Sequence, residues 1–159
     1  MILKRAGWAK ILERGFTTMN KDIQFLIECL SEDLIAMLIE KYDYSLDEAA
    51  DVLYKSNTYR LIENIDSELY YQSSVYVFDM LKEEIEQKER EQMKLDMTKN
   101  LAVLLMEENA SLTMEQALSI VLNSDTYLRL QREETRLFYQ SPRYVYAFLQ
   151  TELKTGKIG

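Results

Sequence analysis

Leu69-Tyr70-Tyr71-Gln72-Ser73 returns 68 positions later as Leu137-Phe138-Tyr139-Gln140-Ser141. The same offset relates Ser56, Thr58 and Tyr59 to Ser124, Thr126 and Tyr127, Tyr76-Val77 to Tyr144-Val145, and Leu81 to Leu149. No gap is needed from the Ser45 and Thr113 regions to the ends of the two copies. A period of this size marks a tandem architecture in which each copy is one helical unit. A unit this short is near the lower limit for a self-sufficient core, so the copies are expected to pack on each other or on a partner.

Working outward, Ile23, Leu26, Ile27, Leu30, Leu34, Met37 and Leu38 repeat at three- and four-residue spacing and predict a helix over residues 21–41 with one buried face. A turn at Tyr42-Asp43-Tyr44 precedes Ser45 and Glu48, which form a capping box, and Thr113 with Gln116 repeats the device. Helix two buries Ala49, Val52 and Leu53. Ser56 caps a short helix over about residues 57–64, and Ser124 does so before Asp125, whose charge favours a helix N-terminus. After a loop, Ser73 caps the last helix; in copy two Ser141 caps and Pro142 takes the first helical position.

Residues 82–94 are rich in both charge signs, with Glu84–Lys88 and Glu86–Arg90 in the favourable four-residue order, and read as a charged helical connector. Helix one of copy two is wetter at its start: at the same offset Glu91 replaces Ile23 and Lys94 replaces Leu26. The fold class is therefore all-α, a tandem repeat of two similar units packed together. Residues 1–20 are a basic N-terminal extension, 21–88 repeat one, 89–153 repeat two and 154–159 a flexible tail.

The 159 residues carry a net charge of −8. Lys4, Arg5, Lys10, Arg14 and Lys21 against Glu13 give residues 1–21 a charge of +4, leaving −12 for the rest. An acidic body disfavours general affinity for nucleic-acid phosphates and suits a basic protein partner. Cys29 stands alone, which points to a reducing cytoplasm. No apolar run approaches the roughly 20 residues of a membrane-spanning helix. Residues 1–18 are basic and loosely amphipathic but lack the apolar stretch of a secretory signal; a docking arm, or an upstream extension of a protein that begins at Met19, is the expectation.

The chain has no histidine, which removes the commonest general base and zinc ligand. Its four glycines lie in the terminal segments, so there is no glycine-rich phosphate loop. Acidic pairs such as Glu32-Asp33, Glu107-Glu108 and Glu133-Glu134 lack calcium-loop spacing and read as solvated helix faces. No catalytic residue, metal or cofactor is expected.

The recurring tyrosines are more informative, since tyrosine joins a large apolar body to a hydroxyl and suits protein interfaces. Tyr71, Gln72 and Tyr76, with Tyr139, Gln140 and Tyr144, are the candidate partner contacts. Tyr59 and Tyr127, one turn past a cap, read as core rings instead. A second reading takes helix two and the short helix as a helix-turn-helix, with Arg60, or Arg129 and Arg132, meeting DNA. The turn residues Tyr54-Lys55 and Leu122-Asn123 lack the common glycine, and Asp125 would face phosphate.

Leu53-Tyr54-Lys55-Ser56-Asn57-Thr58-Tyr59 and Leu69-Tyr70-Tyr71-Gln72-Ser73-Ser74-Val75-Tyr76-Val77 resemble signatures of small uncharacterised all-helical bacterial domains. Such domains are similar in style to antitoxin or accessory proteins encoded beside toxin genes, including ADP-ribosyltransferase-like ones. Copy two departs from the pattern at Val121-Leu122-Asn123. The resemblance implies an antitoxin or accessory role. With the lone cysteine, the acidic body and the lack of catalytic motifs, the expectation is a cytoplasmic, non-enzymatic interaction module that neutralises a basic toxin, and the small size of each unit leaves a homodimer as a further form. The DNA-binding transcription regulator is the alternative.

Overall fold

The computed structural model describes residues 5–156, with side chains from Lys21 onward. Every regular element among them is helical. They are α1 (Arg5–Tyr42), α2 (Leu46–Tyr54), α3 (Asn57–Glu63), α4 (Ser74–Glu108), α5 (Met114–Leu122), α6 (Asp125–Gln131) and α7 (Pro142–Thr155). Pairs of single 3-10 turns fill the links after α3 (Ile65–Ser67, Leu69–Tyr71) and after α6 (Glu133–Thr135, Leu137–Tyr139). The chain divides into two compact units, Met1–Ile85 and Glu86–Gly159.

α1 is helical well before residue 21, where the apolar period begins. The docking-arm reading of residues 1–18 concerns side chains outside the described residues. At the other end α7 reaches Thr155 and closes on Gly156 at φ 69°, two residues into the stretch expected to be a tail. Residues 157–159 lie outside the description.

In unit 1 the α1 stripe of Ile23, Ile27, Leu30, Leu34 and Leu38 meets Ala49 and Leu53 of α2, Ile62 of α3, and Val77, Leu81 and Ile85 of α4. Each fully buried leucine or isoleucine contributes about 1.5–3 kcal/mol relative to exposure, so the fit of these faces decides the fold. The unit 2 core joins Met97, Leu101 and Leu105 of α4 to Val121, Leu130, Phe138, Val145 and Leu149.

Buried positions of α1 and α4 recur at a spacing one residue shorter than the 68-residue sequence offset. Ser31 Oγ back-bonds to the Ile27 carbonyl at 2.7 Å, and Thr98 Oγ1 to the Lys94 carbonyl at 2.8 Å, a spacing of 67 rather than 68. Leu30, Leu34 and Leu38 likewise stand 67 positions before Met97, Leu101 and Leu105. The link after α4 takes up the extra residue before the Thr113 cap. Counted by that spacing, Ile23 and Ile27 correspond in sequence to Arg90 and Lys94.

Lys94 is not wet. Its side chain is 7% exposed, with Nζ 2.9 Å from Glu91 Oε1 and 5.5 Å from the Phe138 ring centre. Arg90 Nε pairs with Glu133 Oε1 at 3.4 Å. Both cations lay their aliphatic stems where unit 1 uses isoleucine, and keep a carboxylate at the tip.

Candidate interaction surface

The candidate tyrosines sit on a framework of local caps and one longer clamp. Both capping boxes form, Ser45 with Glu48 and Thr113 with Gln116. The two bonds from Ser45 hold the Glu48 carboxyl below its ordinary range. Ser56 Oγ accepts the Tyr59 amide at 2.9 Å and donates to the Leu53 carbonyl at 2.6 Å. Ser124 does the same with Tyr127 and Val121, at 3.0 and 2.6 Å.

Two further orphan amides of α3 are closed from a distance. Glu84, on α4, accepts from Asn57 N at 2.8 Å, Thr58 N at 3.0 Å and Thr58 Oγ1 at 3.0 Å. In unit 2, Glu152 of α7 accepts from Asp125 N at 2.6 Å, Thr126 N at 3.0 Å and Thr126 Oγ1 at 2.8 Å. A carboxylate at a helix N-terminus satisfies the free N–H groups and complements the helix dipole. The recurring Ser-x-Thr is thus explained: serine caps one amide and threonine completes the carboxylate's cradle. Sequence reading gave Glu84 only a pairing with Lys88 and did not single out Glu152, although the two stand 68 apart.

The links after α3 and α6 are stapled by a hydroxyl. Ser67 Oγ donates to the carbonyls of Leu61 and Asn64, and Thr135 Oγ1 to those of Arg129 and Arg132. The next residues, Glu68 and Arg136, take left-handed backbone at φ 52° and 50°. In the 3-10 turn that follows each, one ring is buried and its neighbour exposed. Tyr70 is 5% exposed and Tyr71 63%; Phe138 is 5% and Tyr139 58%. Each exposed ring leans on its buried neighbour, with centroids 4.5 and 4.4 Å apart.

Tyr76 and Tyr144 occupy the first turns of α4 and α7, their amides held by Ser73 and Ser141 at 3.3 Å. They are 55% and 53% exposed, and Tyr144 meets Phe148 edge-on at 5.2 Å. Gln72 and Gln140 are exposed, and no side-chain hydrogen bond ties either to its loop among the described residues. Tyr59 and Tyr127 pack half-buried against their cores. Burial, and then the nearby Glu63, push the Tyr59 phenol up.

Arg60, Arg129 and Arg132 are all exposed. Arg60 reaches only Asn57, at 3.4 Å, and it belongs to unit 1 whereas the other two belong to unit 2. The α3 and α6 N-termini, which a helix-turn-helix would turn toward DNA, each hold a glutamate carboxylate.

Another polar contact distinguishes the units. Tyr146 Oη donates to Glu108 at 3.0 Å, and Gln150 donates to the same carboxylate. In unit 1, Lys41 Nζ lies 5.8 Å from the Phe78 ring centre instead. Burial and then the Glu108 contact push the Tyr146 phenol to about 12. The bonds from Gln150 and then Tyr146 hold the Glu108 carboxyl below its ordinary range.

No group of three His, Cys, Asp or Glu side chains is gathered for a metal among the described residues, and none of their helices is long and apolar enough to cross a membrane. No protein-family model, curated protein or solved structure matches the chain.

Proposed function

We propose that this chain is a non-enzymatic protein-interaction module of the cytoplasm, built as a tandem repeat of one helical unit. Its docking contacts are Tyr71, Gln72 and Tyr76 in unit 1 and Tyr139, Gln140 and Tyr144 in unit 2. In the antitoxin-like form of this reading, the partner is a basic toxin whose working surface the chain covers. The observation that carries it is the paired ring geometry: Tyr70 and Phe138 are buried while Tyr71 and Tyr139 are open on a rigidly capped frame. Rings held in place lose little freedom on docking, which favours affinity. The 67- and 68-residue correspondences support the repeat, and the net charge of −8 supports a basic partner.

The carboxylates of Glu84 and Glu152 at the short-helix N-termini work against the DNA-regulator alternative.

The test is native mass spectrometry of the tagged protein recovered from its own host, in wild-type form and as Tyr71→Ala/Tyr139→Ala. A stoichiometric basic protein held by the wild type and lost from the variant is the expected result. A partner retained equally by both would refute the tyrosine surface, and a clean monomer or homodimer would refute the antitoxin-like form.

A further inference from the structure

In unit 2 an open cavity of about 380 Å³ lies between one face of α4 and the start of α7. Asn100, Val103, Leu104 and Glu107 line it from α4 at three- and four-residue spacing, and Ser141, Pro142 and Arg143 from the cap and first turn of α7. Its volume falls within the range of small-molecule sites. Val103 is 42% exposed, and with the half-buried Leu104 and Pro142 it makes an apolar wall.

The polar part of the lining is largely unused. The side chains of Asn100, Glu107 and Arg143 make no hydrogen bond or ion pair among the described residues. Ser141 Oγ accepts the Tyr144 amide at 3.3 Å and has its own proton to give. Neighbouring charges are committed elsewhere: Glu108 holds Tyr146 and Gln150, and Lys99 pairs with Asp96 at 3.7 Å. Glu107 and Arg143 thus line one cavity with opposite charge and do not pair with each other. Counted by the 67- and 68-residue spacings, they correspond in sequence to Glu40 and Val75 of unit 1. The two-signed lining is particular to unit 2.

We propose that this cavity binds a small zwitterion with an apolar side chain, a free amino acid or a short peptide. Its ammonium meets Glu107, its carboxylate meets Arg143, and its side chain covers Val103, Leu104 and Pro142. A ligand of one charge sign would pair with one of the two residues and be repelled by the other. A neutral apolar compound would leave both charges unanswered. A zwitterion satisfies both, and the planar donor fork of Arg143 suits its carboxylate. The occupant is a small molecule and the cavity is not lined by the exposed tyrosines, so this inference goes beyond the proposed function and does not rest on it.

The experiment is an NMR titration of the full chain with leucine, leucyl-leucine, N-acetylleucine and leucinamide. Saturable shifts at the amides of Asn100, Val103, Leu104, Glu107 and Arg143 are expected from leucine or leucyl-leucine. Whichever binds tells a free amino acid from a short peptide. N-acetylleucine lacks the ammonium and leucinamide the carboxylate, so each should bind at least about tenfold more weakly. Glu107→Gln and Arg143→Gln should each weaken the zwitterion by a similar factor, while Glu40→Gln in unit 1 should leave it unchanged. Exposed substitutions of this kind leave folding nearly untouched. Tyr71→Ala/Tyr139→Ala should bind the zwitterion like the wild type, which separates this site from the tyrosine surface. The proposal is overturned if both zwitterions are silent at those amides, if the blocked leucines bind equally well, or if the shifts persist undiminished in either cavity variant.

Discussion

Thr126 gives both of its donors to one oxygen of Glu152, the amide at 3.0 Å and the hydroxyl at 2.8 Å, across 26 residues of chain. This ties the start of a seven-residue helix to a fourteen-residue one. A helix as short as α6 is marginal by itself, so its order rests on such contacts. Glu152→Ala should lower stability by about 1–2 kcal/mol, since hydrogen bonds to a charged acceptor are among the stronger ones. Denaturant unfolding measures the loss, and faster hydrogen exchange at Asp125 and Thr126 locates it. Unchanged exchange there would show that the clamp contributes nothing.

Tyr146 should be among the last tyrosines to ionise. Its folded-state value of about 12 lies above the usual 10, so its contribution to stability is full below pH 10 and is lost as pH climbs toward 12. Glu108 has the opposite sign: its value is lowered, so its contribution is present above the ordinary carboxylate value of 4.5 and fades as pH falls below it. Tyr146→Phe should remove the late step from an ultraviolet phenolate titration and weaken, without abolishing, the acid-side dependence, because Gln150 still donates to Glu108.

Lys94→Met tests whether the buried ammonium stabilises unit 2. Glu91, its partner, is 55% exposed, so removing the cation strands no buried charge. Replacing a buried ion-pair member by an apolar residue of similar length is then neutral or stabilising, here by up to about 1 kcal/mol. A large loss in thermal unfolding would mean that the contacts with Glu91 and the Phe138 ring outweigh desolvation.

Asp43 closes α1 in left-handed backbone at φ 55°, its amide bonded to the Ile39 carbonyl at 3.0 Å. Glycine adopts this conformation without a Cβ penalty. Asp43→Gly should therefore raise stability by about 0.5–1 kcal/mol, visible as a higher denaturant midpoint; a lower midpoint would reveal a contribution from the aspartate side chain.

The neighbouring rings of unit 1 should separate folding from binding. Tyr70→Ala, which empties a core position, should cost about 3 kcal/mol or more. Tyr71→Ala should change stability by less than about 0.5 kcal/mol yet weaken capture of a partner protein. Equal effects on unfolding would mean that Tyr71 is structural.

What the sequence made legible was whatever closes within one helical turn. Ser45 with Glu48 and Pro142 after Ser141 could be read directly, because a cap and its amide are three residues apart. Glu84 and Glu152 escaped because their partners lie 26 and 27 residues away, and because each sits among other charged residues. The register of α4 was hidden for a different reason: one extra link residue shifts the stripe, and Lys94 looks polar although its stem is buried. Tyr70 and Tyr71 are the same residue type, so only the left-handed turn at Glu68 decides which ring goes inside, and no glycine announces that turn.

The distance between Asn57 and Glu84 also sets an order of events during synthesis. As the chain leaves the ribosome, α3 emerges with two amides that its own neighbours do not close, and the carboxylate that closes them follows 27 residues later. The first turn of α3 should therefore gain protection only once Glu84 has cleared the exit tunnel, so that stalled chains in which α3 has emerged but Glu84 is still inside expose this turn to proteases and chaperones, while chains long enough to release Glu84 do not.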